Sequence, residues 1–137
     1  MSLVLDASVA LAWAYADETT EAVLDVFAQV KTHGAWIPAL WRWEVANALH
    51  VNVRRGRHGT EFRDAALSNL TWFPIKEDAL AQPEAWLGAL QLAEQHDLTV
   101  YDASYLEIAR RRKIPLATLD RALRAASKNE GVELLGI

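Results

Sequence analysis

The stretch Leu3-Val4-Leu5-Asp6-Ala7-Ser8, near the start of the chain, decides the expected fold. Three consecutive apolar residues that stop at an aspartate are typical of a short strand buried on both faces. The alanine-rich segment that follows, from Ala7 to about Ala16, predicts a helix. A strand that passes directly into a helix is the first step of the alternation from which a parallel sheet is built.

The alternation continues to the end of the chain. We expect further strands at residues 35–37, 70–75, 114–118 and 132–135, and helices at about 21–31, 40–54, 60–70, 83–95 and 102–113, with a last helix opening at Asp120. Short apolar strands that alternate with helices predict a parallel sheet covered on both faces. The expected fold is therefore α/β: one domain, residues 1–137, forming a three-layer α/β/α sandwich around about five short strands.

Composition restricts the chemistry. The chain has 137 residues and no cysteine, which excludes thiolate nucleophiles, disulfides and cysteine-based zinc sites. The N-terminus lacks the basic region of a signal peptide, and no apolar run approaches the roughly 20 residues of a membrane span, so we expect a soluble cytoplasmic protein. The net charge is −4, so binding of nucleic acid would need local basic patches and a bound metal ion.

Three aspartates follow or precede elements that meet at one edge of the predicted sheet. Asp6 follows the first strand, Asp120 follows the fourth, and Asp102 is expected to open a helix. Ligands of parallel α/β sheets bind beyond the carboxyl ends of the strands, where these helices begin. Aspartate is also a favoured N-cap residue, so each of the three taken alone has a purely structural explanation.

Glu44 has no such explanation, because it lies too far inside the predicted 40–54 helix to cap it. Its neighbours three and four positions away are mostly apolar, and a carboxylate on an apolar face needs a partner or a raised pKa. An arginine partner, such as Arg42, is one possibility. The other is a cluster with Asp6, Asp102 and Asp120. Four such anions call for a divalent cation, and carboxylate oxygens suit Mg²⁺ or Mn²⁺, ions that support phosphodiester hydrolysis.

Four motifs resemble the PIN-domain family, and within it the VapC-type toxins of type II toxin–antitoxin systems. They occur in the family's order and span nearly the whole chain: Val4-Leu5-Asp6-Ala7-Ser8-Val9-Ala10-Leu11, Trp43-Glu44-Val45-Ala46-Asn47-Ala48-Leu49, Val100-Tyr101-Asp102-Ala103-Ser104-Tyr105-Leu106 and Leu116-Ala117-Thr118-Leu119-Asp120. The resemblance implies a PIN-like sandwich and a Mg²⁺- or Mn²⁺-dependent endoribonuclease. It also implies a homodimer and a cognate antitoxin that blocks the groove.

The same resemblance implies roles for individual residues. Asp6 and Asp102 would be the main metal ligands, and Glu44 and Asp120 would complete the catalytic pocket. Supporting positions near the acids would be Ser8, Asn47 and Thr118. Arg121 and Arg124, just after Asp120, are suitably placed for a phosphate if that helix begins in the groove. The RNA substrate could be a transfer RNA or another structured RNA.

Two further features are left open. The basic runs at residues 54–58 and 110–113 could guide an RNA backbone or could be solvated helix ends. Trp41 and Trp43 are two positions apart and cannot share a helix face, so one of them is expected at a partner surface such as a dimer contact.

Two rival functions remain. One is a phosphatase that uses Asp6 as a covalent nucleophile, although such enzymes usually carry a second acid where this chain has Ser8. The other is a non-catalytic RNA- or protein-binding module, in which the acids are helix caps and an ion pair.

Overall fold

The central element of the computed structural model, which describes residues 1–79 and 83–137, is the strand β1 (Leu3–Leu5). All three of its residues are completely buried. It pairs in parallel with one strand on each side, so both its edges and both its faces are covered. The apolar run that predicted a buried strand therefore occupies the middle of the sheet.

The sheet has five parallel strands in the order β3-β2-β1-β4-β5. The remaining four are β2 (Ala35–Ile37), β3 (Ile75–Glu77), β4 (Leu116–Ala117) and β5 (Leu134–Leu135). The register places Val4 beside Trp36 on one side and beside Leu116 on the other. The predicted parallel sheet is confirmed, although β4 and β5 are shorter than the apolar runs that contain them.

In the part of the chain that the structure describes, seven α-helices flank the sheet in two groups and complete the α/β/α sandwich. In the first group α1 packs against α2 and α3, and α3 against α4; in the second, α6 packs against α5, α7 and three of the strands. The helices are α1 (Ala7–Ala14), α2 (Glu21–His33), α3 (Leu40–Arg54), α4 (Thr60–Leu70), α5 (Pro83–His96), α6 (Val100–Arg112) and α7 (Arg121–Asn129). Across the described ranges, none of the helices combines the length and the apolar character needed to cross a membrane.

The expectation of a third strand at residues 70–75 is wrong, since β3 begins only at Ile75. Helix α4 continues through Leu70, and the chain then turns, with Phe73 N donating to Leu70 O. Leu70 and Phe73 are partly buried against the core, whereas Trp72 is exposed. The apolar run therefore follows the spacing of a helix end rather than the alternation of a strand.

Gly34 ends α2 and allows the chain to enter β2 beside Pro74. Its φ of +80° and ψ of 174° lie in a region that only glycine adopts readily. A Cβ atom at this position would lie 2.9 Å from Pro74 O, the carbonyl that accepts a hydrogen bond from Ala35 N. Gly34 thus permits the close approach through which β2 and β3 meet.

We predict that Gly34→Ala lowers the free energy of unfolding by about 2 kcal/mol, because it combines an unfavourable backbone conformation with a contact that backbone atoms would have to relieve. Chemical denaturation monitored by circular dichroism measures the change. Gly59→Ala is the matched control: Gly59 has a φ of −91° and no atom within 4 Å of an added Cβ. Equal stability of Gly34→Ala and wild type would contradict the prediction.

Candidate active site

The Asp6 carboxylate lies at the carboxyl end of β1, and only 6% of the residue is exposed. Two hydroxyl groups hold it in place. Ser8 Oγ donates to Asp6 Oδ2 at 2.5 Å, and Thr118 Oγ1 donates to the same oxygen at 2.8 Å. Asp6 stands immediately before α1 but its side chain makes no capping hydrogen bond. Helix capping therefore does not account for this residue.

The same two hydroxyls also fix the loop that carries Asp120. Ser8 Oγ accepts a hydrogen bond from Leu119 N at 3.0 Å, and Thr118 Oγ1 accepts one from Asp120 N at 3.1 Å. Asp120 does cap its helix, since its Oδ1 accepts from Leu123 N at 2.8 Å. The loop after β4 and the start of α1 are thus joined through the groups that hold Asp6.

Glu44 is half-buried in α3, and its partner is a tyrosine. Tyr105 OH, on α6, donates to Glu44 Oε1 at 2.6 Å, and Tyr105 itself is completely buried. Arg42, the candidate ionic partner, pairs instead with Glu77 at 3.1 Å. Within the described ranges no cation forms an ion pair with Glu44, so a neutral donor satisfies one of its oxygens and its charge is not neutralised.

Asp102 was predicted to open a helix, but it lies within the first turn of α6 and the helix begins before it. The N-cap is Thr99, whose Oγ1 accepts a hydrogen bond from Asp102 N at 3.1 Å. Threonine is a good N-cap, and it displaces the helix start by two residues relative to the prediction. Asp102 remains half-buried, close to the partial positive charge of the helix N-terminus.

The four carboxylates share one electrostatic environment. Asp6 is repelled by Glu44, Asp102 and Asp120, and Asp102 is likewise repelled by the other three. Asp6 and Asp102 are therefore the two members of the cluster that interact with all the rest. The acids come from four places in the chain, and the sheet topology brings them to one edge.

Burial and repulsion raise the pKa of three of these acids. Burial is the main cause for Asp6, with hydrogen bonds from Ser8 and Thr118 opposing it. Burial also raises the pKa of Glu44, against the hydrogen bond from Tyr105. The pKa of Asp102 is raised by burial and then by the charges of Asp120 and Asp6. The folded protein therefore holds these carboxyl groups where their negative charge is unfavourable.

A divalent cation fits the chemistry of this donor set. Across residues 1–79 and 83–137, no three side chains of metal-binding type converge closely enough to enclose an ion. Mg²⁺ does not require such a cage, because it usually binds through one or two carboxylates and keeps several waters. The donors are hard, anionic oxygens that repel each other, and Glu44 Oε2 receives no hydrogen bond from the described residues. A bound cation would relieve that repulsion.

The other candidate residues lie in different settings. Asn47 is exposed on α3 and makes no hydrogen bond to the acids within the described ranges. Arg121 is exposed beside Asp120. Arg124 is not available to a phosphate in this arrangement, because its Nη1 donates to Thr118 O at 2.7 Å and to Leu135 O at 3.0 Å.

Four arginines of the two basic runs form ion pairs, whereas Arg54 and Arg55 are exposed and form none with the described residues. Arg57 pairs with Asp17 and Glu18, and its guanidinium lies 3.7 Å from the ring centre of Tyr15. At the end of α6, Arg110 pairs with Glu130, Arg111 with Glu107 and Asp78, and Arg112 with Asp78. The second run is also at the opposite end of α6 from Asp102. These pairs favour a structural role for most of these arginines.

Sequence reasoning did not assign a role to Tyr105, Thr99 or the carbonyl contacts of Arg124. Tyr105 is 61 residues from Glu44, so no local pattern connects them. A usable signal did exist, because Tyr105 stands three positions after Asp102 and therefore on the same face of α6.

We predict that Tyr105→Phe raises the pKa of Glu44 further. The hydroxyl favours the ionised carboxylate, so its removal favours the protonated form. Loss of this bond should also lower stability by about 1 kcal/mol. Carbon-13 NMR titration of the glutamate side-chain carboxyl measures the pKa, and Tyr101→Phe, which alters an exposed hydroxyl, is the control. An unchanged Glu44 titration would show that the bond does not influence the carboxylate.

We predict that Asp102→Asn stabilises the metal-free protein at neutral pH, raising Tm by about 3 °C, because it removes one of four mutually repelling anions. A carboxyl whose pKa is raised by folding contributes stability at low pH and loses it as the pH rises through that pKa. The difference in Tm between Asp102→Asn and wild type should therefore become smaller as the pH falls from neutral. Calorimetry across a pH series measures this, with Asp25→Asn, an exposed acid on α2, as control. Equal effects of the two substitutions would argue against local repulsion.

Known proteins share both the sequence and the fold. The PIN domain model matches residues 3–129. Ribonuclease VapC3 of Pyrobaculum aerophilum is 33% identical over 124 residues, covering 90% of this chain and 92% of that protein. The crystal structure of PAE2754 from Pyrobaculum aerophilum aligns with a TM-score of 0.72 at 29% identity, covering 98% of this chain and 83% of that one. FitAcB from Neisseria gonorrhoeae, at 15% identity and a TM-score of 0.67 over 98% of this chain and 96% of that one, shares the fold. The chain belongs to the PIN domain family, which confirms the resemblance seen in its motifs.

Proposed function

We propose that this protein is a divalent-metal-dependent endoribonuclease toxin. The observation that carries the proposal is the cluster of Asp6, Glu44, Asp102 and Asp120, which repel one another at one edge of the sheet. Similarity to a protein named Ribonuclease VapC3 supports RNA as the substrate. The proposed substrate implies a cytoplasmic site of action.

In this proposal Asp6 and Asp102 are the main ligands of Mg²⁺ or Mn²⁺, and Glu44 and Asp120 complete the pocket and help to orient the attacking water or a second ion. These two acids each interact with all other members of the cluster, so an ion held by them would reduce the repulsion of the whole cluster. Ser8 and Thr118 orient the Asp6 carboxylate through their hydroxyls. When bound, the ion would lower the pKa of water and stabilise the charge that develops on the phosphate oxygens.

Side chains of the protein would accept the proton that the attacking water loses. In hydrolysis an oxygen of water forms a bond to phosphorus, one P–O ester bond breaks, and the water loses a proton. Glu44 is suited to accept it, because Tyr105 fixes one carboxylate oxygen and leaves the other unbonded. Arg121, exposed beside Asp120, would contact the substrate phosphate, and Asn47 would support the rim.

The proposal includes two protein partners, an antitoxin that blocks the groove and a second copy of the chain. Both are what the resemblance to VapC-type toxins implies, and similarity to a protein named Ribonuclease VapC3 supports that resemblance. For the homodimer, an apolar surface is available on α5, where Trp86, Leu87 and Leu90 are exposed. Co-purification with the product of a neighbouring short reading frame, and sedimentation of the isolated chain, test the two partners separately.

We predict Mg²⁺- or Mn²⁺-dependent cleavage of structured RNAs, transfer RNAs included, that is abolished by EDTA. Asp6→Asn should reduce cleavage by at least about 100-fold, since even outer-sphere residues of metal sites account for 10–100-fold. Added Mg²⁺ or Mn²⁺ should raise the Tm of the wild type more than that of Asp6→Asn. Gel analysis of end-labelled RNA and thermal melts measure these effects, with Asp25→Asn as the matched control.

Three results would contradict the proposal. Cleavage by Asp6→Asn at the wild-type rate would mean that the site is wrongly assigned. Release of inorganic phosphate from small esters, without cleavage of RNA, would favour a phosphatase that uses Asp6 as nucleophile. Binding of RNA without cleavage under any metal condition would favour a non-catalytic module.

A further inference from the structure

Two exposed aromatic side chains stand directly before two of the clustered acids. Trp43 is 78% exposed and precedes Glu44 on α3, and Tyr101 is 68% exposed and precedes Asp102 on α6. The carboxylates of Glu44 and Asp102 repel each other, and the Tyr105–Glu44 hydrogen bond joins the two helices here. Trp43 and Tyr101 therefore lie in the first turns of the two helices that carry these acids, each next to an acid in the chain.

Neither aromatic side chain belongs to the hydrophobic core of the described residues. Trp41, two positions earlier on α3, is 2% exposed and belongs to the core, whereas Trp43 projects from the other side of the helix. In residues 1–79 and 83–137 neither the Trp43 nor the Tyr101 side chain makes a hydrogen bond or a ring–ring contact. Helix propensity does not favour either residue type, so folding alone does not require them at these positions.

The charges around the groove limit how it can hold a nucleic acid. A single divalent ion would offset only two of the four negative charges of the acids, and the chain as a whole has a net charge of −4. Arg42 is paired with Glu77, and Arg124 is bonded to two carbonyl groups. Among residues 1–79 and 83–137, Arg121 is an exposed cation next to a site residue. Affinity near the scissile bond must therefore come largely from contacts other than phosphate neutralisation.

We propose that Trp43 and Tyr101 form a platform on which the unpaired bases flanking the scissile phosphate stack. This inference rests on the proposed ribonuclease function and narrows its substrate to unpaired segments, such as loops of structured RNA. Aromatic side chains stack on any base that is free of its neighbours, whereas bases within a duplex are already stacked on each other. Binding through stacking depends less on salt concentration than binding through phosphate neutralisation does. Stacking is therefore the contact that we expect near acids whose charge is only partly offset.

The surface differs from the apolar groove beside α5. That groove is lined by Pro38, Trp86, Leu90 and Val100, and neither Trp43 nor Tyr101 contributes to it. The two aromatic residues are defined by their position next to the acids rather than by continuity with an apolar face. A nucleobase, which is flat and follows the phosphate into the site, matches this placement better than a protein surface does.

Binding of a short fluorescent single-stranded RNA, and of the same RNA annealed to its complement, tests the inference. The measurements use full-length protein carrying Asp6→Asn, so that RNA is not consumed, with Mg²⁺ present and over a series of KCl concentrations. Trp43→Ala and Tyr101→Ala should each weaken single-strand binding by about 10-fold without changing its salt slope, while duplex binding stays unchanged. Trp43→Phe and Tyr101→Phe should retain most of the affinity.

The control is Trp72→Ala, which alters a residue that is 86% exposed and precedes β3, at the sheet edge opposite the acids. RNA should quench tryptophan fluorescence in the wild type, and this quenching should largely disappear in Trp43→Phe. That readout does not depend on the stability of an alanine variant.

Several outcomes would overturn the inference. If both alanine variants bind single-stranded RNA as well as wild type, and wild type cleaves RNA, Trp43 and Tyr101 do not stack on bases. The ribonuclease proposal then stands unchanged. An altered salt slope, or equal loss of duplex binding, would mean that the residues do not contact unpaired bases. A change of oligomeric state in sedimentation would make them an interface between copies of the chain. Absence of RNA binding and cleavage by the wild type would remove both proposals.

Discussion

A buried negative charge at the end of the central strand is the constraint around which the rest of the site is built. The Asp6 carboxylate follows a strand covered on every side, so it cannot be solvated as an exposed acid would be. Ser8 and Thr118 replace part of that solvation, and each also holds a backbone amide of the loop before α7. The position of Asp120 thus depends on how Asp6 is accommodated.

Glu44 on α3 and Asp102 on α6 add two further negative charges beside that of Asp6. Neither forms an ion pair with a cation of the described ranges, although arginines elsewhere in the molecule are paired with acids. The fold therefore neutralises charge at its periphery and leaves charge uncompensated at one edge of the sheet. Such an edge is less stable than a neutral one would be, and this is the usual relation between stability and a functional site.

The sequence predicted those features that depend on local patterns. Leu3–Leu5 predicted a buried strand because all three residues are apolar. Glu44 was predicted to belong to the site because a carboxylate inside a helix cannot cap that helix. Competing local interactions caused the errors, since Leu70 and Phe73 pack as a helix end and Thr99 caps α6 ahead of Asp102. The Tyr105–Glu44 bond could not be predicted from local pattern, because it arises only when α3 and α6 come together.

Hydrogen bonds of Arg124 connect the last strand, β5, to the site. Its guanidinium joins the carbonyl of Leu135, in β5, to the carbonyl of Thr118, whose hydroxyl bonds to Asp6. A two-residue strand without an acid is thereby linked to the buried Asp6 through the side chains of Arg124 and Thr118. A displacement of β5 would consequently reach Asp6, although the contact is made to a main-chain carbonyl and does not depend on the side chain at position 135. The support of the site therefore extends well beyond the residues that can touch a substrate.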